Sequence, residues 1–179
     1  MNEAIAERVP PLAGDIPSET FAALYERSFP RVYAYVAALL RDRSAAEDVT
    51  SQAFERAYRK RRSYRPARGT AEGWIFGIAR NAALDELRRR KRHASLEVDP
   101  EDLDMPSAED HAERSLRRAV LLSALAGLEG GERDLVALKF MGGLSNAEIA
   151  HVLGTSESNV VTRLHRTVTK LREACHDRA

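Results

Sequence analysis

The chain has 179 residues, of which 44% are hydrophobic and 31% charged, with a formal net charge of +1 at pH 7. This balance is globular, sufficient for one large or two small domains, and excludes an extensively disordered chain. No stretch approaches the roughly 20 consecutive apolar residues of a membrane helix, so no membrane insertion is expected. The start, MNEAIAERVPPLAGDIP, carries Glu3 and Glu7 where a signal peptide needs a basic and then an apolar run, which implies a cytoplasmic protein.

Residues 1–18, with Pro10, Pro11 and Pro17, read as an N-terminal tail. Phe21, Leu24, Tyr25, Val32, Tyr35, Val36, Leu39 and Leu40 then recur at steps of three and four, predicting helix with Pro30 as a bend or a helix start. A second helix is expected after Ser44, the serine acting as N-cap and Glu47 completing a capping box, with Val49, Ala53, Phe54, Ala57 and Tyr58 turned inward. The loop RRSYRPARGT leads to a third helix from about Ala71 to Arg92, with Trp74, Ile75, Ile78, Ala79, Ala82 and Leu87 on its buried side. Trp74 lies on that apolar side and reads as core rather than as a stacking residue. Three helices over 19–92 make a small domain, which buries only about 60% of its unfolded surface and is modestly stable alone.

The small net charge conceals blocks of like charge. From Arg56 to Arg92 there are 13 Lys/Arg and three acids (Glu72, Asp85, Glu86), a net of +10, which would repel itself unless a polyanion lies near. From Ser95 to Glu113 there are eight acids, no Lys or Arg, two prolines and few apolar residues. That composition cannot offset its ordering entropy and predicts a flexible linker over 93–114.

Beyond it, over 115–179, Leu116, Val120, Leu121, Leu125 and Leu128 predict one helix. Leu135, Val136, Leu138 and Phe140 predict another, after the turn signal EGGE. In LSNAEIAHVLGTSESNVVTRLHRTVTKLRE, Ser145 with Glu148 forms a capping box and Gly154 ends the short helix through Leu153. The last helix starts near Ser156, capped by Thr155 or Ser156, and buries Val160, Leu164, Val168 and Leu171. With the small Ala150 allowing a close crossing, this is a helix-turn-helix in a four-helix domain. The fold class is therefore all-α: two small helical domains joined by an acidic linker.

In a helix-turn-helix the second helix enters the major groove, so Ser158, Asn159, Thr162, Arg163 and Arg166 are the candidate DNA contacts; arginine suits guanine and asparagine adenine. The competing reading is a helical hairpin with a wet polar face. Cap, small residue, glycine and apolar stripe all fall in register, which favours DNA binding. On the second helix Asp48, Gln52, Glu55 and Arg56 form a polar stripe that suits docking or a solvated face with internal ion pairs equally well. Asn81, Asp85, Arg88 and Arg92 form another on the third. Cys175, with His176, His151 and His165, lacks the paired spacing of a zinc site, so neither a metal nor a cofactor is expected.

GTSESNVVTRLHRTVTKLRE is similar to the promoter-binding motif of extracytoplasmic-function (ECF) sigma factors of bacterial RNA polymerase. AAEDVTSQAFERAYRKRRSY resembles their polymerase-binding segment, and TAEGWIFGIARNAALDELRRRKR their promoter-melting segment. Three matches in this order cover nearly everything from Phe21 onward. The resemblance implies that Asp48, Gln52, Glu55 and Arg56 meet the clamp of the largest catalytic subunit of core polymerase. It implies that Tyr64, Arg65, Arg68, Asn81, Asp85 and Arg88 recognise the promoter −10 element, that the second domain meets the polymerase flap and the −35 element, and that an anti-sigma factor controls the protein. Val161 and Thr169 stand where basic residues are common in the family, so fewer phosphate contacts are expected. No phosphate-cradling loop or nucleophile–base pair points to an enzyme. A simple repressor or activator would leave the basic block unexplained, and a protein-interaction module would have no need of the cationic loop.

Overall fold

The computed structural model describes residue 16 and residues 18–94 and 120–176, and every regular element among them is helical. The first half is built from α1 (Ser18–Leu40), α2 (Arg43–Arg59), two 3-10 turns (Arg61–Ser63 and Pro66–Arg68) and α3 (Ala71–Ala94). The second contains α4, described over 120–126, α5 (Gly130–Val136) running into a π-helical turn (Ala137–Met141), α6 (Asn146–Leu153) and α7 (Glu157–His176). The expected linker lies outside the described residues, apart from His93 and Ala94, which are the last residues of α3.

Local chemistry departs from expectation at several points. Pro30 lies inside one helix, α1, and does not start a new one. The N-cap of α2 is Asp42, not Ser44: Asp42 is extended (ψ 118°) and its carboxylate accepts a 3.0 Å bond from the Ala45 backbone N–H, leaving Ser44 in the first helical turn. Tyr58 was expected inward but is 42% exposed, its ring packed edge-on to Phe21 and covered by the Arg61 guanidinium at 4.2 Å. Phe140 was expected in the core and is 59% exposed. The π turn is the cause: the Gly142 N–H reaches back five residues to the Ala137 carbonyl (2.8 Å), and this wider turn breaks the 3.6 periodicity that would have turned Phe140 inward. In α4 the buried positions are Ala124 and, just past the helix, Leu128, whereas Leu121 faces out.

The two halves share a single core. Val32, Tyr35 and Val36 of α1 and Ile75, Phe76 and Ala79 of α3 belong to the same buried cluster as Leu135, Leu138, Leu144, Ile149 and Val160. Gly142 permits a close approach to α3, because a Cβ there would stand 2.9 Å from the Phe76 ring. Polar groups stitch the rim. Asp134 of α5 is buried and accepts from the Tyr35 hydroxyl (2.8 Å) and from Arg80 Nε (2.7 Å). Arg31 donates through Nε to the Gly142 carbonyl (2.9 Å) and through Nη1 to Glu72 (2.8 Å). Thr70 donates to Glu148 (2.7 Å). Burial first, then the adjacent Asp134 carboxylate, pushes the Tyr35 hydroxyl well above its usual pKa, so the tyrosine remains a donor.

Candidate nucleic-acid and polymerase interfaces

The turn between α6 and α7 is assembled by side chains close in sequence. The Ser145 hydroxyl accepts from the Glu148 backbone N–H (3.2 Å) while the Glu148 carboxylate accepts from the Ser145 N–H (2.9 Å), so two orphan donors of the α6 start are satisfied reciprocally. Gly154 ends α6 in the left-handed region (φ 66°, ψ 39°), and the Thr155 N–H closes the turn on the Ala150 carbonyl (2.9 Å). The Ser156 hydroxyl accepts from the Asn159 N–H (3.2 Å) and starts α7. Val160 and Thr167 are fully buried, with Leu164, Val168 and Leu171 half-buried beside them.

This start places Ser158, Asn159, Thr162 and Arg166 on the exposed face of α7, while Arg163 is half-buried. Several are already engaged. Asn159 Nδ2 donates to Thr155 Oγ1 (2.7 Å), the Thr162 hydroxyl bonds back to the Ser158 carbonyl (3.0 Å), and Arg163 donates to the Gly131 carbonyl (3.3 Å). Asn159 keeps its amide oxygen available, and Arg166 extends from the exposed face.

The loop before α3 is ordered by Tyr64, whose hydroxyl donates to the Gly69 carbonyl (2.9 Å) and whose ring lies 5.6 Å from that of Trp74. Burial raises its pKa. Trp74 is half-buried against the core, so its indole is shared between the core and this loop. Arg65 and Arg68 project from the loop, and the Thr70 hydroxyl caps α3 by accepting from the Gly73 N–H (3.0 Å). The remaining three residues expected to act with this loop lie elsewhere. Asn81 is about 15 Å along α3 and Arg88 about 26 Å, at 1.5 Å per residue; Asp85 and Arg88 pair with each other at 2.8 Å.

Asp85 instead faces a polar groove of about 650 Å³ between α2 and α3, together with Asp48, Gln52 and Arg56. Four further lining residues were missed by sequence reasoning: Asp42, Glu86, Arg89 and Arg90. Arg90 bridges Asp42 and Glu86 at 2.8 Å each, and Arg89 binds Glu86 at 2.7 Å. The Arg89 hydrogen bond, opposed by burial and reinforced by Arg90, holds the Glu86 carboxyl down at about 2. Asp42 is also held low, first by the Ala45 N–H. Glu55 lies beyond this groove in a smaller one with Arg59 and Lys60. The +10 block is thus partly neutralised: Arg59, Arg80, Arg88, Arg89 and Arg90 all pair with carboxylates, and Glu55, Asp42 and Asp134 come from outside the block. Its cationic character concentrates at the loop, around Arg65 and Arg68. Among the described residues no helix is long and apolar enough to cross a membrane, and no three His, Cys, Asp or Glu side chains are grouped to hold a metal.

Comparison with known proteins places both halves. Residues 24–93 match the family described as Sigma-70 region 2, and residues 118–171 match Sigma-70, region 4. The RNA polymerase sigma factor CarQ of Myxococcus xanthus is 36% identical over 89% of this chain and 91% of its own length. The ECF RNA polymerase sigma factor SigL of Mycobacterium tuberculosis is 32% identical over 84% and 85%. The fold is similar to that of the sigma factor RpoE of Bartonella quintana, solved in complex with the anti-sigma factor NepR, with TM-score 0.71, 21% identity, and coverage of 87% of this chain and 96% of that one. With two sigma-70 regions in succession and relatives matched along nearly their whole length, the chain belongs to the extracytoplasmic-function sigma factors of bacterial RNA polymerase.

Proposed function

We propose that this protein is an alternative sigma factor that works in the cytoplasm by binding core polymerase and positioning it on promoters. It has no catalytic chemistry of its own. In this reading residues 19–92 form the polymerase-binding and −10-reading domain, 93–114 a tether and 115–179 the −35-reading domain, with 1–18 a tail. Asp48, Gln52, Glu55 and Arg56 dock on the clamp of the largest subunit, and the second domain meets the flap. Tyr64, Arg65 and Arg68 hold the −10 strand, since single strands favour cationic grooves beside aromatic surfaces. Asn81 and Arg88 contact the same DNA farther along α3. The place of Asp85 in the α2–α3 groove favours polymerase docking over base reading for that residue. Ser158, Asn159, Thr162, Arg163 and Arg166 read the −35 element, and an anti-sigma factor regulates the protein by covering these surfaces.

The observation that carries the DNA-binding part is the start of α7: a helix-turn-helix with both caps satisfied leaves Asn159 on the exposed first turn, where backbone donors and the helix dipole favour phosphate, and Arg166 exposed two turns farther along. In vitro transcription with core polymerase and a library of promoter fragments tests the whole reading. Sequence-specific initiation is expected with the intact protein and is expected to collapse with an Arg163→Ala, Arg166→Ala variant. Duplex binding with no core binding and no initiation would instead indicate a repressor or activator.

A further inference from the structure

We propose that α7 meets its promoter element as a hydrogen-bond acceptor at two neighbouring base pairs, because intramolecular bonds fix Asn159 and Thr162 before DNA arrives. Thr155 is then a positioning residue, which sets a base preference without touching a base. This rests on the functional reading above and deepens it. Asn159 Nδ2 donates to Thr155 Oγ1 at 2.7 Å, so the nitrogen side of the planar amide is held back towards the α6–α7 turn and the oxygen is left facing away from it. The amide cannot present its nitrogen instead without breaking that bond. Thr162 is committed in the same sense: its hydroxyl gives its single proton to the Ser158 carbonyl at 3.0 Å and offers only lone pairs to a ligand.

Asn159, Thr162 and Arg166 follow one another at steps of three and four and share the exposed face, away from the buried Val160 and Thr167. Phosphate oxygens accept hydrogen bonds, so neither the Asn159 oxygen nor the Thr162 hydroxyl suits them, whereas Arg166 supplies donors to phosphate or guanine. What the two acceptors suit is a base amino group. In the major groove adenine N6 and cytosine N4 donate, while guanine O6 and thymine O4 accept. Inverting a base pair carries its donor to the other strand, so an acceptor selects adenine or cytosine over guanine or thymine on the strand it faces. Side chains three apart on a helix lie about 5–6 Å apart at Cβ, against a rise of about 3.4 Å per base pair, which sets the two acceptors over neighbouring pairs.

In vitro transcription by the full chain with core polymerase tests this, on a promoter library randomised across the −35 element and sequenced before and after selection. Asn159→Ala is expected to erase selectivity at one base pair and so to mark the pair that Asn159 faces. There the parent chain is expected to favour adenine or cytosine over guanine or thymine on one strand by about tenfold, an ordinary size for discrimination at one position. Thr155→Val keeps the side-chain shape and removes the hydroxyl; it is expected to lower that ratio to about twofold or less and to leave the ratios at other pairs in place. Thr155→Ser is expected to restore it, and Thr162→Val to lower the ratio at the adjoining pair. A merely structural role for Thr155 would reduce output from all fragments alike. A parent preference for guanine or thymine at the marked pair overturns the proposal, as does an Asn159→Ala chain that marks no pair or a Thr155→Val chain that keeps the parent ratio. If Thr155→Val fails to fold, Thr155→Ala removes the same hydroxyl and decides the point. Absence of initiation from every fragment overturns the functional reading instead, and the same ratios are then read from duplexes retained by the chain alone; retention of none overturns both.

Discussion

The α6–α7 turn and the seam between the two halves are both held by a glycine and a few polar side chains, but the glycines act for different reasons. A Cβ on Gly154 would meet nothing within 4 Å, so that position is constrained only by its left-handed backbone. Gly142 has an ordinary φ of −73° and is constrained only by what packs against it, the Phe76 ring and the Leu138 carbonyl. The first constraint is local and recurs wherever a helix must stop in the left-handed region. The second combines a carbonyl four residues back with a ring 66 residues away, so part of it exists only because distant residues meet.

Substitutions at the two glycines test that contrast most strongly. Gly142→Ala forces a methyl group against a backbone oxygen and a buried ring, and is expected to destabilise the fold by about 2–3 kcal/mol in denaturant unfolding. Gly154→Ala has free space and is expected to lose about 1–2 kcal/mol through backbone strain alone. Gly154→Asn should recover part of that loss, because asparagine tolerates this conformation; no recovery would mean that Gly154 is also constrained by packing. At the next level, Ser145→Ala removes one half of the α6 capping box and is expected to cost about 1 kcal/mol, measured the same way. A larger loss would tie this cap to the seam through Glu148, which also holds Thr70.

A separate effect appears only on acidification. Glu86 is held at about 2 in the folded chain, below its ordinary value of 4.5. Its contribution to stability is therefore complete above about pH 4.5 and is lost as the pH falls towards 2. Glu86→Gln should flatten the acid limb of the stability profile over that window. An unchanged acid limb would show that Arg89 and Arg90 do not lower the folded-state pKa of Glu86.

Most structural signals carried by near neighbours were legible. The α3 span, the Ser145–Glu148 box, the Gly154 stop, the Ser156 start of α7 and its exposed polar side all follow from residues within a few positions of one another, as did the all-α class. Expectation failed where a neighbour in space outweighed a neighbour in sequence. Asp42 displaced Ser44 as the α2 cap, in a position where Arg90, 48 residues away, also binds its carboxylate. The π turn released Phe140 from the core as the chain bent to bring Gly142 against Phe76.

The charge pattern divides the same way. Composition located the cationic loop, because Arg65 and Arg68 stand in a stretch without acids, but it overstated the charge of α3, where Asp134 and Asp42 from outside the block pair with Arg80 and Arg90. The sequence by itself determined the helices, the α6 and α7 caps, the helix-turn-helix and the family, since these depend on periodicity and on backbone groups satisfied within a turn or two. Only the tertiary structure decided that Asp85 belongs to the α2–α3 groove, that Arg80 is an internal partner and that the halves close on Asp134. The Asp134 pairings span 54 and 99 residues, where burial and a matched donor, rather than spacing along the chain, select the partner.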